Sequence, residues 1–365
     1  MKINEIASAL ESIAPLTLQE DYDNAGLIIG NAEVVCKGIL VSLDVTEAVV
    51  EEAVKMKCNL IVAHHPIIFR GIKKLNGKNY VERTVISAIK NDIAVYAIHT
   101  NLDNVLEGVN KKIAEKLGLE NYKALLTKKG TLQKLVTFVP IKNADAVRKS
   151  LFEAGAGAIG KYYECSFNVE GAGTFRAKEG SHPFVGKIGE SHHESEVRIE
   201  LVFPTYLQEK IINSLKTAHP YEEVAYYIHE LENGEDNTGS GLIGEIAGSI
   251  TENQLFNSIR NAFHLSVIKH TSFLNKPVNK IAVCGGAGIF LLKNAIASGA
   301  QVFITSDIKY HEYFDAEGKI LLVDIGHYES EQFTIELLIE FLQQKFPNFA
   351  VLKTEMDTNP VNYFI

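Results

Sequence analysis

Two histidines at the end of an apolar run are the first residues of this chain that could do chemistry. Leu60-Ile61-Val62-Ala63 leads straight into His64-His65-Pro66. Neutral imidazole is the commonest protein ligand for a transition metal. Taken alone, the pair reads equally well as a polar loop after a strand. Three later stretches end in the same way. Ile93–Ile98 runs into His99-Thr100-Asn101-Leu102-Asp103, Val302–Thr305 into Ser306-Asp307 and then His311, and Ile320–Val323 into a segment carrying His327 and Glu331. His64, His65, His99, Asp103, Asp307, His311, His327 and Glu331 thus gather at strand ends and hold five of the twelve histidines. His327 and Glu331 are four residues apart, so a helix starting there sets both on one face, one turn apart, where they could bind the same ion or two adjacent ions. A carboxylate can bridge two cations, which a neutral imidazole cannot. His64, His65, Asp103, His327 and Glu331 form a mixed nitrogen and oxygen set suited to zinc, iron(II) or manganese. The set contains no thiolate, which argues against a structural zinc site. Two ions about 3.5–4 Å apart would bind a water between them and lower its pKa toward about 7, giving a nucleophile for hydrolysis. Asp307 and His311 are the candidates for proton transfer or substrate contact.

Each residue also has a plainer reading. His99 reads first as a strand-end histidine bonded to backbone. Asp103 could cap the helix that follows, and His327 with Glu331 could be a surface pair. Gly285-Gly286-Ala287-Gly288, after another strand, offers backbone N–H groups to a phosphate but lacks the full spacing of a nucleotide-binding fingerprint. A tight turn explains it equally well.

The elements that must position these residues alternate between strand and helix. Residues 3–14 carry apolar positions at helical spacing. Gly38–Val45, Leu60–Ala63 and Ile93–Ile98 read as buried strands, with helices over Glu47–Lys57, Tyr80–Lys90 and Gly108–Leu117. This predicts a mostly parallel sheet covered on both faces. After residue 126 the texture changes. Strands at Lys134–Pro140, Tyr162–Val169, Glu196–Phe203 and Val224–His229 and helices at Ala144–Glu153 and Leu207–Lys216 give the βαββαβ order of a ferredoxin-like unit. Gly171–Ser195 reads as a long exposed loop and Glu232–Asn237 as a linker. Strands at Lys280–Cys284, Val302–Thr305 and Ile320–Val323, a helix at Glu331–Gln344 and a last strand at Ala350–Thr354 restore the α/β pattern. The expected fold is therefore a two-part α/β core with mostly parallel sheets, interrupted by an inserted ferredoxin-like α+β domain. Its boundaries fall at 1–126, 127–233 and 234–365.

Composition removes several functions. The net charge is -9 over 365 residues, with no basic stripe, so a nucleic-acid partner is not expected. No apolar run is long enough to span a bilayer. Met1–Ile6 opens an amphipathic helix instead of a signal peptide, which points to the cytoplasm. Cys36, Cys58, Cys165 and Cys284 are scattered without disulfide or zinc-knuckle spacing and read mostly as small buried residues.

Over nearly its whole length the chain resembles the NIF-three-like family of dinuclear metal proteins, whose bacterial members are commonly labelled GTP cyclohydrolase I type 2 homologues. The resemblance is carried by Asp21-Tyr22-Asp23-Asn24-Ala25-Gly26-Leu27, with Tyr22 where a tryptophan is usual, and by Leu43-Asp44-Val45-Thr46. It continues through Ala63-His64-His65-Pro66, His99–Asp103, Gly285–Gly288, Thr305–His311 and the His327 to Glu331 pair. It implies metal-ligand roles for His64, His65, Asp103, His327 and Glu331, with Glu331 bridging two divalent ions. It implies a small-molecule substrate, a nucleotide by the family label, whose imidazole ring would be opened with release of formate. The middle domain, with His219-Pro220-Tyr221-Glu222, is similar to the PII/CutA-like insert of longer bacterial members. Ring-shaped homohexamers with the sites facing an interior cavity are implied as well. The competing expectation is a metal-binding regulatory or scaffold protein with a ligand-sensing insert.

Overall fold

Short, fully buried runs form the centre of the first sheet. Ile39–Ser42, Leu60–Ala63 and Ala94–Ala97 lie side by side and parallel, and every residue in them is buried. A strand covered on both faces has no polar side to show, which is why the sequence gives continuous apolar runs without alternation. Val351–Lys353 extends the sheet in parallel beside Ile39–Ser42, and Gly26–Ile29 closes the other edge antiparallel to Ala94–Ala97. Ile39, Val41, Leu60 and Val62 pack under the helices Ile3–Ile13 and Thr334–Lys345. Leu40, Ile61, Ala63 and Val95 pack under Glu47–Lys55 and Tyr80–Lys90 on the opposite face. Those two helices start where the sequence supplies a cap. The Thr46 side chain accepts from Val49 N, and the Asn79 side chain accepts from Glu82 N.

This computed structural model describes residues 1–364. It divides into two compact units: Met1–Leu126 together with the residues from Asn237 onward, and Thr127–Asp236. The first unit holds a second, six-stranded sheet. Val278–Val283, Val302–Thr305 and Leu321–Asp324 are parallel, and Gly239–Ile250 and Lys269–His270 flank them antiparallel. Parallel pairing is thus confined to the middle of this sheet. Gly239–Ile250 escapes a reading based on apolar runs because four glycines interrupt it.

In Thr127–Asp236 the strands Leu132–Pro140, Phe167–Arg176, Ser191–Pro204 and Tyr226–Glu230 are antiparallel. In chain order they lie 2-3-1-4, the arrangement of a ferredoxin-like βαββαβ unit. Helices Ala144–Glu153 and Gln208–Ala218 close one face over Leu135, Val147, Leu151, Ile199, Phe203, Ile211 and Leu215. The expected loop from Gly171 to Ser195 is instead mostly a hairpin. Pairing runs from Phe167↔Glu200 to Arg176↔Ser191, leaving only 177–190 as the connection. Backbone pairing in an exposed hairpin requires no buried face, so neither glycine nor polarity there excludes a strand.

Candidate metal centre

Each expected ligand stands where a buried strand stops. His64 and His65 follow Leu60–Ala63. Their backbone N–H groups still pair with Ser42 O and Leu43 O, so the ladder holds them in place. His99 and the short helix Thr100–Asp103 follow Ala94–Ala97. His327 and Glu331 sit on the helix His327–Glu331, which follows Leu321–Asp324 after a turn at Gly326. Gly326 has φ +90°, and a Cβ there would fall 2.2 Å from Glu329 Oε2, so only glycine makes this turn.

All four histidines of the cluster are held from behind through Nδ1. His64 Nδ1–H donates to Ile98 O at 2.8 Å and His65 Nδ1–H to Asp44 Oδ1 at 2.8 Å. His99 Nδ1–H donates to Asp23 Oδ1 at 2.7 Å and His327 Nδ1–H to Asp307 Oδ2 at 2.7 Å. A carbonyl or ionised carboxylate can only accept, so the proton on each Nδ1 is fixed, and it is Nε2 that is free to lose its proton and offer a lone pair.

Those Nε2 atoms converge. His64, His65 and His99 each bring a ligand atom within 4.8 Å of the others, and so do His65, His327 and Glu331. Glu331 Oε2 lies 3.0 Å from His65 Nε2, 3.1 Å from His327 Nε2 and 3.9 Å from His64 Nε2. Asp103 Oδ1 lies 3.7 Å from His64 Nε2. His64 Nε2, Asp103 Oδ1 and Glu331 Oε2 are all buried and accept or donate no hydrogen bond. Three orphaned polar atoms pointing at one another are costly in an apolar surrounding unless a cation or proton joins them. Nitrogen and carboxylate donors with fixed tautomers fit a divalent transition ion.

The electrostatics agree with that fit. Burial works against charge on His65, but the Asp44 and Glu331 carboxylates outweigh it and push its pKa up to about 10. Burial likewise opposes charge on His327, yet Glu331 and Asp307 raise it to about 9. Burial would raise Glu331, but the three histidines hold it well below the usual carboxylate range. Asp103 moves the other way, pushed up by burial and then by the charge of Glu331. A proton taken up between Glu331 and these rings occupies the place a cation would take.

Several expectations change in detail. His99 is bonded through its ring to Asp23, not to backbone, and faces His64 and His65 at ring-centroid distances of 5.2 and 5.3 Å. Asp103 caps nothing downstream, since the helix Val109–Leu117 begins at Gly108 without a side-chain cap. The glycine-rich turn does not offer a phosphate cradle. Gly285 N, Gly286 N and Gly288 N donate to Asn110 Oδ1, Ser330 Oγ and Thr305 Oγ1. A Cβ on Gly286 would fall 2.3 Å from Glu331 Oε1, so this turn makes room for Glu331. Asp307 reaches the cluster as the partner of His327. His311 is exposed on the turn Tyr310–Ala316, packed edge-on against Tyr310, with no hydrogen bond to the cluster. Asp23 and Asp44 carry no role in the sequence reading. Their only signal is an acid placed in each of two motifs.

The four cysteines are free thiols, three of them buried. Among the described residues no helix is long and apolar enough to cross a membrane.

Comparison with known proteins follows the same line. The family model described as Duf34/NIF3 (NGG1p interacting factor 3) matches residues 1–360. Curated proteins named GTP cyclohydrolase 1 type 2 homolog, from Halalkalibacterium halodurans and Bacillus subtilis, are each 36% identical to this chain. The alignments run over 364 and 365 residues and cover 98% of both sequences. The crystal structure of a Bacillus cereus protein related to NIF3 matches with a TM-score of 0.87 at 37% identity, covering 100% of this chain and 99% of that one.

Proposed function

This chain belongs to the Duf34/NIF3 family, and from that premise we propose that it is a hydrolase dependent on two divalent metal ions. The observation that carries the reading is the convergence of His64 Nε2, Asp103 Oδ1 and Glu331 Oε2, buried and without hydrogen bonds. His64, His65, Asp103, His327 and Glu331 would hold the ions, with Glu331 placed to serve both. The donor set suits zinc, iron(II) or manganese. When bound, such ions supply Lewis acidity and a water acidified toward neutral pH.

The protein's own part is positional. Ile98 O, Asp44 and Asp307 hold Nδ1–H of His64, His65 and His327, so each ring turns Nε2 to the centre without prior reorientation. Asp307 acts through His327. His311, exposed nearby in sequence, is left for substrate contact. The name of the curated relatives supports GTP as the substrate to try first, with opening of its imidazole ring and release of formate. A homohexameric ring in the cytoplasm completes the proposal. Exposed Tyr162, Tyr163 and Phe167 supply surface for self-association.

A second reading, a metal-binding regulatory protein, is favoured by one observation. A cavity of about 720 Å³ lies within Thr127–Asp236, lined by Phe138, Phe175, Phe184, Arg198, Tyr221 and Tyr227, in the size range of small-molecule sites.

The deciding experiment is metal analysis of protein purified without added metal or chelator, followed by a GTP assay that identifies products. About two ions per chain with formate release supports the hydrolase. Two ions without turnover of GTP favours the regulatory reading or another substrate. No metal bound, and none taken up on titration, removes both.

A further inference from the structure

The strand Val351–Lys353 adds to the first sheet in parallel with Ile39–Ser42, with Lys353 opposite Val41. Whatever follows it must leave the sheet at the same end as His64 and His65. That segment, from Thr354 to Tyr363, has no regular secondary structure, yet it is tied down step by step. Buried Glu52 takes the Thr354 hydroxyl on one oxygen and Glu355 N, at 2.8 Å, on the other. Asp357 Oδ1 accepts from Asn359 N at 3.0 Å and Asn359 Oδ1 from Val361 N at 3.0 Å, two successive local turns, the second with Pro360 at its centre. A segment with this many local constraints loses little further freedom when it docks.

Its contacts fall on the groups that hold the ligands. Thr358 Oγ1 donates to Asp44 Oδ2 at 2.8 Å, while the other oxygen of the same carboxylate takes His65 Nδ1–H at 2.8 Å. With both oxygens engaged, the Asp44 carboxylate cannot turn, and the plane of the His65 ring is set with it. Asn359 Nδ2 donates to Glu329 Oε1 at 3.3 Å, and the Tyr363 hydroxyl bonds the same carboxylate. Glu329 lies on the helix His327–Glu331, between the two ligands that helix carries. One strap of chain therefore grips the support of a ligand from the first sheet and the helix bearing two ligands from the second.

We infer that Asp357–Tyr363 is a positioning strap for the metal centre, with Thr358 acting on His65 through Asp44 and Asn359 acting on His327 and Glu331 through Glu329. Outer partners of metal-bound histidines are worth about 10–100-fold in affinity. The inference rests on the metal reading above.

The test uses the full chain and Co²⁺ or Zn²⁺ alone. Thr358→Val keeps the shape and removes the donor, Thr358→Ser restores it, and Asn359→Ala releases Glu329. Metal affinity is measured by competition with a chelator, together with the visible spectrum of the Co²⁺ form and the unfolding midpoint of the metal-free chain. The strap predicts an affinity loss of about 10-fold or more for Thr358→Val, with a changed Co²⁺ spectrum, an unchanged metal-free midpoint and recovery in Thr358→Ser. Asn359→Ala should lose affinity too. Wild-type affinity and spectrum in both Thr358→Val and Asn359→Ala would overturn it. So would an affinity loss that merely follows loss of stability in the metal-free chain. A wild type that takes up no metal removes the metal reading and the strap together, whereas a wild type that binds while the variants bind equally removes the strap alone.

Discussion

Two clusters of buried polar side chains use the same residue types and end in opposite states. Inside Thr127–Asp236, His219 donates from Nε2 to Phe138 O at 2.9 Å and accepts at Nδ1 from Tyr221 N at 3.1 Å. Tyr221 OH then donates to Glu196 Oε1 at 2.9 Å. Both ring nitrogens are spent and the tautomer is settled. At the strand ends of the α/β unit, the histidines pin Nδ1 to a carbonyl or carboxylate and turn Nε2 inward, where His64, His65 and His327 crowd round Glu331 Oε2 and the Nε2 atoms of His65 and His327 lie 3.4 Å apart. Burial alone therefore does not mark a functional histidine; several ring nitrogens gathered on one carboxylate do. The electrostatic signs differ in the same sense. Burial pulls His219 below the ordinary histidine value and keeps it neutral, whereas carboxylates hold His65 and His327 in their charged forms. One cluster is complete as folded, and the other is complete only with a positive charge between its members.

The contrast breaks most sharply at Glu331. Glu331→Gln keeps the shape and removes the charge that both histidine groups share. Metal content should fall from about two ions per chain to below one. Elemental analysis after dialysis checks this, and two retained ions would mean that the carboxylate is not a ligand. Proton balance comes next. At pH 7 the metal-free chain carries protons on His65 and His327, and metal must displace them. About two protons should be released per chain. Calorimetry in buffers of different ionisation heat measures the number, and no release would show that the Nε2 atoms are not where metal binds.

The strand-end cluster was legible because burial on both faces compresses a parallel strand into a short apolar run, and the run makes the polar residues after it conspicuous. His327 and Glu331 were legible from their spacing on one helical turn. Their supports were not. Asp44 and His65 are 21 residues apart and Thr358 and Asp44 are 314 apart, so neither bond leaves a local pattern. His99 was read as a backbone-bonded residue because its true partner, Asp23, lies in a turn 76 residues earlier. Gly285–Gly288 shows the reverse problem. A glycine turn built to admit the Glu331 side chain has the same composition as one built to admit a phosphate. The distal part of the hairpin Phe167–Pro204 was hidden for another reason: Phe167–Arg176 and the paired stretch 191–195 bury nothing, so no burial pattern stamps the sequence there, whereas the buried residues of 196–203 did reveal a strand.

Stability against pH separates the two clusters by sign. A histidine with a raised folded-state pKa stabilises the chain fully below about pH 6.5, and this is lost as pH climbs through the folded value. For His65 and His327 the loss falls between about pH 6.5 and the values near 9 and 10. His219, lowered by burial, contributes stability above about pH 6.5 that is lost as pH falls below it. Unfolding curves of the metal-free chain should weaken on both sides. The alkaline loss should shrink in Glu331→Gln and the acid loss in His219→Ala. Identical pH profiles in the two variants would erase the distinction. His219→Ala should also cost about 1–3 kcal/mol at neutral pH, because Phe138 O is left without its donor, with metal content unchanged.

The smallest effect belongs to His311, which lies in neither cluster. It is exposed, its ring lies near Tyr310 and Phe314, and its side chain makes no hydrogen bond among the described residues. His311→Ala should leave metal content unchanged and shift stability by no more than about 0.5 kcal/mol. If the proposed hydrolase activity is present and His311 touches its substrate, the same variant should still lower kcat/KM, with the Co²⁺ spectrum unaltered. That combination separates substrate contact from ligand support, because Asp307→Asn, acting through His327, should disturb the spectrum as well as the rate. Equal rates for His311→Ala and wild type would confine the chemistry to the ligands and the groups that hold them.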